Sequence, residues 1–294
     1  MNKGDDMTNE DPTATTEMAD WWATAISDIH PGVIRLRGYP IEDLIGTVDF
    51  VSMIWLMVRG DTPPPGQAAL LEAALVASVD HGPQAPSIAI ARMAATCGIG
   101  LNSAVATGVN VLGDTHGGAG QQCVELLQSI RAAELAGVPE HVALRTVVEE
   151  WRSRRRYLPG FGHRFHPVDP RRDPLLGLLE DAAERGHIGG EFLRIARALE
   201  AHLNEGRKRP IPMNIDGATA TVYAELKFPP ELARGLFVLS RSVGILAHAW
   251  EQSQRGERIK GPMPRSVLPH YIGPQRPAGA AAHIMHPDQA ASTG

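Results

Sequence analysis

Cysteine is scarce in this chain: Cys97 and Cys123 are the only two among 294 residues. Two thiols in apolar, helix-like surroundings form no disulfide framework, so a reducing cytoplasm is the expected setting. Surplus positive charge is missing as well, since the formal net charge is -5. No general attraction for nucleic acid or for an anionic membrane surface is therefore expected, and an anionic ligand must be held by local arginines. No uninterrupted run of about 18 apolar residues occurs, so no membrane span is expected. Residues 1–18 are polar and acidic and lack the basic and apolar regions of a secretory signal. Residues 1–31 read as a flexible N-terminal tail. Strand signals are nearly absent, with one short alternation at Ile34-Arg35-Leu36-Arg37, and no internal repeat is present.

What remains is helical. The length suffices for a sizeable core without disulfides or metal. Residues 67–79 combine helix formers with apolar positions at i, i+3 and i+4. Residues 50–58 are apolar almost all round, which predicts a helix buried on every side. Pro86 and Ser87 open another helix, with Ser87 as cap or first-turn residue. Residues 102–112 follow, with Gly108 as a close-contact point. The helix over 120–135 stops at Gly137, and Pro139 starts the next. Residues 174–185 and 191–204 form a pair joined by a glycine-rich turn, and 230–255 is the longest helix. The fold class is all-α. The segment 118–217 lies between two chemically suggestive loops, so it is expected to be a small helical domain inserted into a larger one made of 32–117 and 218–294. A cleft between them would gather loop residues.

Three glycine-framed loops carry the chemistry. The first is Pro159-Gly160-Phe161-Gly162-His163-Arg164, followed by Asp169-Pro170-Arg171. Glycine and proline keep His163 out of a helix and hold its ring in place. A helix-capping or carbonyl-satisfying histidine is the competing reading, and His163, His166 and Asp169 are also a possible zinc set, although Pro167 and Pro170 break any helix that would align them. The second loop, Gly113-Asp114-Thr115-His116-Gly117-Gly118, fixes His116 beside the helix that follows it. There the ring could donate to a developing oxyanion or simply be a turn residue. The third, Asn214-Ile215-Asp216-Gly217, offers Asp216 either as an ordinary helix N-cap or as a general base. A base of its normal strength needs the enolate stabilised as it forms, a task suited to the histidines. Arg171 and Arg172 read as surface ion-pair partners or carboxylate clamps. Arg241 lies within the apolar run of the long helix and needs a carboxylate, internal or from a ligand. Arg152, Arg154, Arg155 and Arg156 form a solvated helix end or a landing site for nucleotide phosphates. His81 ends a helix before Gly82-Pro83, and the remaining histidines, including His248, read as structural or surface groups.

Taken together, these residues resemble the citrate synthase family. The signature lies in Gly160-Phe161-Gly162-His163-Arg164 with Asp169-Pro170-Arg171, in His116-Gly117-Gly118-Ala119, in Asp80-His81-Gly82, in Asn214-Ile215-Asp216 and in Ser240-Arg241-Ser242-Val243-Gly244. Arg37-Gly38-Tyr39-Pro40 is similar to an early segment of the family, and the likeness runs over 33–262. The resemblance implies an all-α, citrate synthase-like homodimer acting on acetyl-CoA or citryl-CoA and a 2-oxo acid, with coenzyme A as the carrier and no metal. It implies that Asp216 moves the proton at the thioester α-carbon, that His116 stabilises the enolate oxygen and that His163 acts on the keto or hydroxyl oxygen. His81, Arg171 and Arg241 would hold carboxylates, and Leu158, Pro159, Gly160, Phe161, Gly162 and Arg164 would contact coenzyme A. Around residues 214–217 and 235–244 the likeness is to citryl-CoA lyases and to the cleaving module of ATP citrate lyase. Cleavage of citryl-CoA to acetyl-CoA and oxaloacetate is therefore the first expectation. Condensation, with hydrolysis as in citrate synthase, is the second, and a non-catalytic acyl-CoA- or partner-binding homologue is the third. Two departures stand out. Gly261 occupies the place of a further family arginine, for which Arg258, Lys260 or Arg265 could substitute, and the spacing from His163 to Asp169-Pro170-Arg171 is one residue short.

Overall fold

The computed structural model describes residues 18, 20–154, 157–162, 167–264 and 266–276. A three-stranded antiparallel meander comes first: β1 (Ser27–His30), β2 (Val33–Leu36) and β3 (Tyr39–Pro40). Ser27 pairs with Leu36, and Leu36 pairs in turn with Tyr39. Arg37 (φ 51°) and Gly38 (φ 88°) make the second turn, with two successive positive φ values that match the twist of a tight hairpin. The expected tail therefore stops short of Ser27, because 27–30 is a strand. The short alternation at 34–37 is the middle of a sheet and not a lone strand. The first and last strands left little trace because they are polar and brief.

Eleven helices follow among the described residues: α1 (Ile41–Leu44), α2 (Phe50–Arg59), α3 (Gln67–Ser78), α4 (Pro86–Ala95), α5 (Leu101–Asn110), α6 (Ala119–Leu135), α7 (Glu140–Arg154), α8 (Arg172–Glu184), α9 (Glu191–Asn204), α10 (Ile215–Glu225) and α11 (Pro230–Gln254). The all-α class holds, with 57% of the described residues helical.

Helix α10 is the axle. Each of its residues except Asp216 is buried, and small side chains such as Ala218, Ala220 and Ala224 let its neighbours pack closely. Its last residue, Glu225, accepts the free N–H groups of Gly190, Phe192 and Leu193 at 3.0, 2.7 and 2.9 Å. That long-range cap replaces the side-chain cap that Gly190 cannot supply to α9. One apolar core joins α2 and α3 to α6–α10 and the first turns of α11, and a second joins α4, α5 and the later part of α11. At the α4–α5–α11 junction Gly108 is required, since a Cβ there would sit 2.7 Å from both Ile245 Cγ2 and Ser87 O.

Helix α2 corrects the expectation of burial on every side. Ile54, Trp55 and Leu56 are buried, but Phe50 is 75% exposed. Its inner face is fixed by Trp55, whose ring meets Phe228 edge-on at 5.2 Å, while Arg59 lies over both rings. Helix α11 reaches a mean hydropathy of 1.2 and is long enough to cross a membrane. It is a core helix here, packed against α3, α4, α5 and α6, with Ser240, Arg241 and Gln252 buried along one side.

Candidate active site

A cleft of about 100 Å³ lies where the two cores meet. His81 enters it from the α3–α4 turn, His116 from the α5–α6 turn, Arg171 from the start of α8, Asp216 from α10 and Arg241 from α11, with Ile215 and Phe237 as apolar wall. Five polar side chains from five separate places in the sequence thus line one opening. His163 and Arg164, and with them His166, Arg155, Arg156, Arg265 and the chain after residue 276, lie outside the described residues.

The turn that carries His116 closes through Gly113 N–H, which donates to His116 O at 2.8 Å. Gly117 takes φ +101°, and a Cβ there would lie 3.1 Å from Phe237, so the turn must be glycine to lie against α11. His116 Nε2 accepts the backbone N–H of Ser87 at 3.1 Å and lies 3.0 Å from Ser87 Oγ. An imidazole nitrogen that accepts a backbone N–H carries no proton, so the neutral ring bears its proton on Nδ1. Burial, aided by the charge of Arg241, lowers the His116 pKa from the ordinary histidine value. The helix N-terminus whose N–H meets the ring belongs to α4, on which Ser87 is a first-turn residue.

Asp216 is not the N-cap of its helix. Asn214 has the extended backbone of a cap, and its Oδ1 accepts from Asp216 N and Gly217 N at 2.9 and 3.2 Å. The carboxylate of Asp216 is thereby spared capping duty. Burial raises its pKa above the usual carboxylate range, against the pull of Arg241 and Arg171 and with the help of Asp169. Asn214 also ties α10 to the glycine loop: its Nδ2 donates to Gly162 O at 2.7 Å and its N–H to Gly160 O at 3.0 Å. Gly160 (φ +83°) and Gly217 touch backbone to backbone, and a Cβ on Gly217 would lie 2.4 Å from Gly160 O. Leu158, Pro159, Gly160 and Phe161 line a second groove of about 410 Å³, beside Thr115 and Asn214. Gly162 stands next to it, paired through its N–H to Pro212 O.

The arginines divide. Arg172 pairs with Asp173 and Glu200, the ion-pair role weighed for it, and does not line the cleft. Arg171 lines it while bonded to Asp169. Arg241 is 5% exposed. Its Nε donates to Ser78 O at 3.1 Å and its guanidinium lies 4.9 Å above the Phe237 ring. The nearest acids act on it through their charge: Asp216 and Asp80 both favour its protonated form against burial.

Three participants were missed as such in the sequence. Ser87 read only as a helix-start residue. Phe237 read only as part of an apolar run. His248 read as structural or surface, yet it bridges Asp80 Oδ1 (Nε2, 3.3 Å) and Arg92 (Nδ1, 3.1 Å). Asp80 Oδ2 in turn accepts Gly82 N–H at 3.0 Å and fixes the turn bearing His81. Burial opposes the Asp80 charge, but Gly82 and His248 hold its pKa below the ordinary value. The available signal was the spacing from Arg241 to His248, two helical turns along the same face of α11.

Comparison with known proteins identifies the family and the fold. Residues 57–263 match the domain described as "Citrate synthase, C-terminal domain". The citrate synthase of Synechocystis sp. is 30% identical over 257 residues, covering 85% of this chain and 60% of that protein. The glyoxysomal citrate synthase of Cucurbita maxima is also 30% identical over 257 residues, but only 48% of it is covered. The chain thus spans about half to three fifths of the length of these relatives. The structure of citryl-CoA lyase from Hydrogenobacter thermophilus superposes with a TM-score of 0.75 at 28% identity, covering 87% of this chain and 96% of that one. ATP citrate lyase from Methanothrix soehngenii, solved with citrate and coenzyme A, shares the fold at a TM-score of 0.72 and 22% identity, over 94% of this chain and 47% of its own. With its motifs in family order and the family domain covering most of its length, the chain belongs to the citrate synthase family.

Proposed function

We propose that this chain makes or breaks the carbon–carbon bond between an acetyl thioester and a 2-oxo acid, and that it works as a citryl-CoA lyase yielding acetyl-CoA and oxaloacetate. One observation carries the reading: His116, with Nε2 held by Ser87, and Asp216, with its helix capped by Asn214, open into the same small cleft as Arg171 and Arg241.

Cleavage begins with the substrate carboxylates held by Arg171, Arg241 and His81. His163, assigned by the family motif, takes the proton of the tertiary hydroxyl. The C–C bond breaks as that oxygen becomes the keto group of oxaloacetate, and the electron pair moves into the thioester as an enolate. Nδ1–H of His116 donates to the enolate oxygen, in a pocket where little water competes. Asp216 delivers its proton to the α-carbon and completes acetyl-CoA. A carboxyl that retains its proton above the normal range suits that last step, and the same residues in reverse perform condensation. Coenzyme A is assigned to the groove formed by Leu158, Pro159, Gly160 and Phe161, together with Gly162 and Arg164.

Cleavage is supported by the likeness to a citryl-CoA lyase, at a TM-score of 0.75 and 28% identity. Net citrate synthesis is the second reading, supported by the 30% identity to citrate synthases. Purified protein given citryl-CoA should release acetyl-CoA and oxaloacetate without free coenzyme A. Rapid release of free coenzyme A from acetyl-CoA plus oxaloacetate would instead identify a synthase.

The proposed assembly is a homodimer. Leu239, Val243, Leu246 and Trp250 are 41, 56, 44 and 55% exposed along one side of α11. An apolar stripe of that length, opposite the buried face, fits a second copy of the same helix. The proposed small domain, 118–217, supplies Arg171, Asp216 and the coenzyme A loop, and the remainder supplies His81, His116 and Arg241.

A further inference from the structure

We propose that Asp169 is a positioning residue of the cleft: its buried carboxylate grips one edge of the Arg171 guanidinium and leaves the rest of it presented to a substrate carboxylate. The inference rests on the function proposed above and assigns within it a side chain that touches no substrate. Asp169 is 1% exposed. Its Oδ1 accepts Arg171 Nε at 3.0 Å and the Arg171 backbone N–H at 3.1 Å, and its Oδ2 accepts Nη2 at 2.9 Å. Arg171 Nη1 donates to Ala77 O at 3.3 Å. Three of the five guanidinium N–H groups are thereby used, leaving one on each terminal nitrogen of a side chain that lines the cleft. The exposed part of the pair belongs to Arg171, at 25% of its side chain, and none of it to Asp169.

Two consequences follow from the chemistry. The planar fork loses its rotational freedom before substrate arrives, so binding costs less ordering. The pair is also close to neutral, so Arg171 recognises a carboxylate by geometry while Arg241, without an ion-pair partner within reach among the described residues, supplies the charge. Asp169 does not compete as a base, because both its oxygens are engaged. It sits near enough to Asp216 for its charge to favour the protonated form of that carboxyl, whereas Arg171 does the opposite.

The test uses Asp169→Asn, Arg171→Lys and the double variant of the full chain, with oxaloacetate binding by calorimetry and the pH profile of citryl-CoA turnover. Asp169→Asn should weaken oxaloacetate binding by about tenfold or more and move to lower pH the alkaline limb, on which Asp216 loses the proton it must deliver. Arg171→Lys, which keeps the charge and loses the fork, should bind as weakly, and the double variant should be no worse than either single one. Binding within about twofold of wild type in either single variant, or losses that multiply in the double, would overturn the proposal. Should Asp169→Asn fail to fold, Arg171→Lys decides alone, because wild-type binding by lysine would leave a held fork no role. A wild-type protein that neither binds oxaloacetate nor cleaves citryl-CoA would sink the functional reading instead. The positioning claim then stands or falls on the Arg171 Nε–H resonance, low-field and slowly exchanging in wild type. An unchanged resonance in Asp169→Asn would refute it.

Discussion

Burial acts on both His116 and Asp216, with opposite results. Burial disfavours charge, so the imidazole stays neutral to lower pH than usual and the carboxyl keeps its proton to higher pH than usual. For His116 the unfolded chain takes up the proton first. Its contribution to stability is therefore present above the unfolded pKa and is lost as pH falls through the folded one. For Asp216 the folded chain holds the proton more tightly, so stability falls as pH rises from the unfolded towards the folded pKa. The His116 interaction gives a paired prediction. His116→Ala should lower kcat by about 10²–10³-fold, the usual loss for an oxyanion donor. Ser87→Ala should retain most of the activity, because the backbone N–H that sets the tautomer remains. Steady-state kinetics on both variants checks this, and equal losses would place the tautomer control in the hydroxyl. At this scale the sequence displayed His81, His116, Arg171, Asp216 and Arg241 clearly. It left Asp216 open between cap and base, since aspartate is by type as good a cap as Asn214, which takes that role. Only the register of the first turn decides which of them accepts the N–H groups.

Helix contacts translate that chemistry into position. Gly244 is the tightest example: a Cβ there would lie 2.3 Å from Val79 O and 2.9 Å from Asp80 Oδ1. Val79 O is backbone and the Asp80 carboxylate is tied to Gly82 N–H and His248, so Gly244→Ala must push α11 away from the turn that holds His81. The expected cost is about 1–3 kcal/mol in stability, with a rise in KM for the carboxylate substrate. Urea unfolding and kinetics together check it, and an alanine variant of wild-type stability would contradict the packing. Most helices were legible because their apolar spacing and stop signals act locally, as at Gly137 after α6. Helix α2 was misjudged because an apolar side chain reveals that it avoids water, not whether this chain covers it. Phe50 is such a case.

That ambiguity returns for the whole molecule. The stripe from Leu239 to Trp250 looks like core in sequence and is exposed in the single chain. The proposed homodimer accounts for it. Leu246→Glu should shift the protein from dimer to monomer in sedimentation velocity at micromolar concentration, because a buried unpaired carboxylate opposes association. A variant that remains dimeric, or a wild-type protein that is monomeric, would remove α11 as the interface. The all-α architecture was readable from periodicity alone. The meeting of five distant residues was not, since it depends on long-range packing, and motif order supplied it.

The central claim is that Asp216 exchanges a proton with the α-carbon of a thioester activated by His116. Asp216→Asn preserves shape and removes the proton carrier. Assayed on citryl-CoA, it should lose about 10²–10⁴-fold in kcat, with substrate affinity little changed. Turnover at the wild-type rate by a folded Asp216→Asn protein would contradict the account.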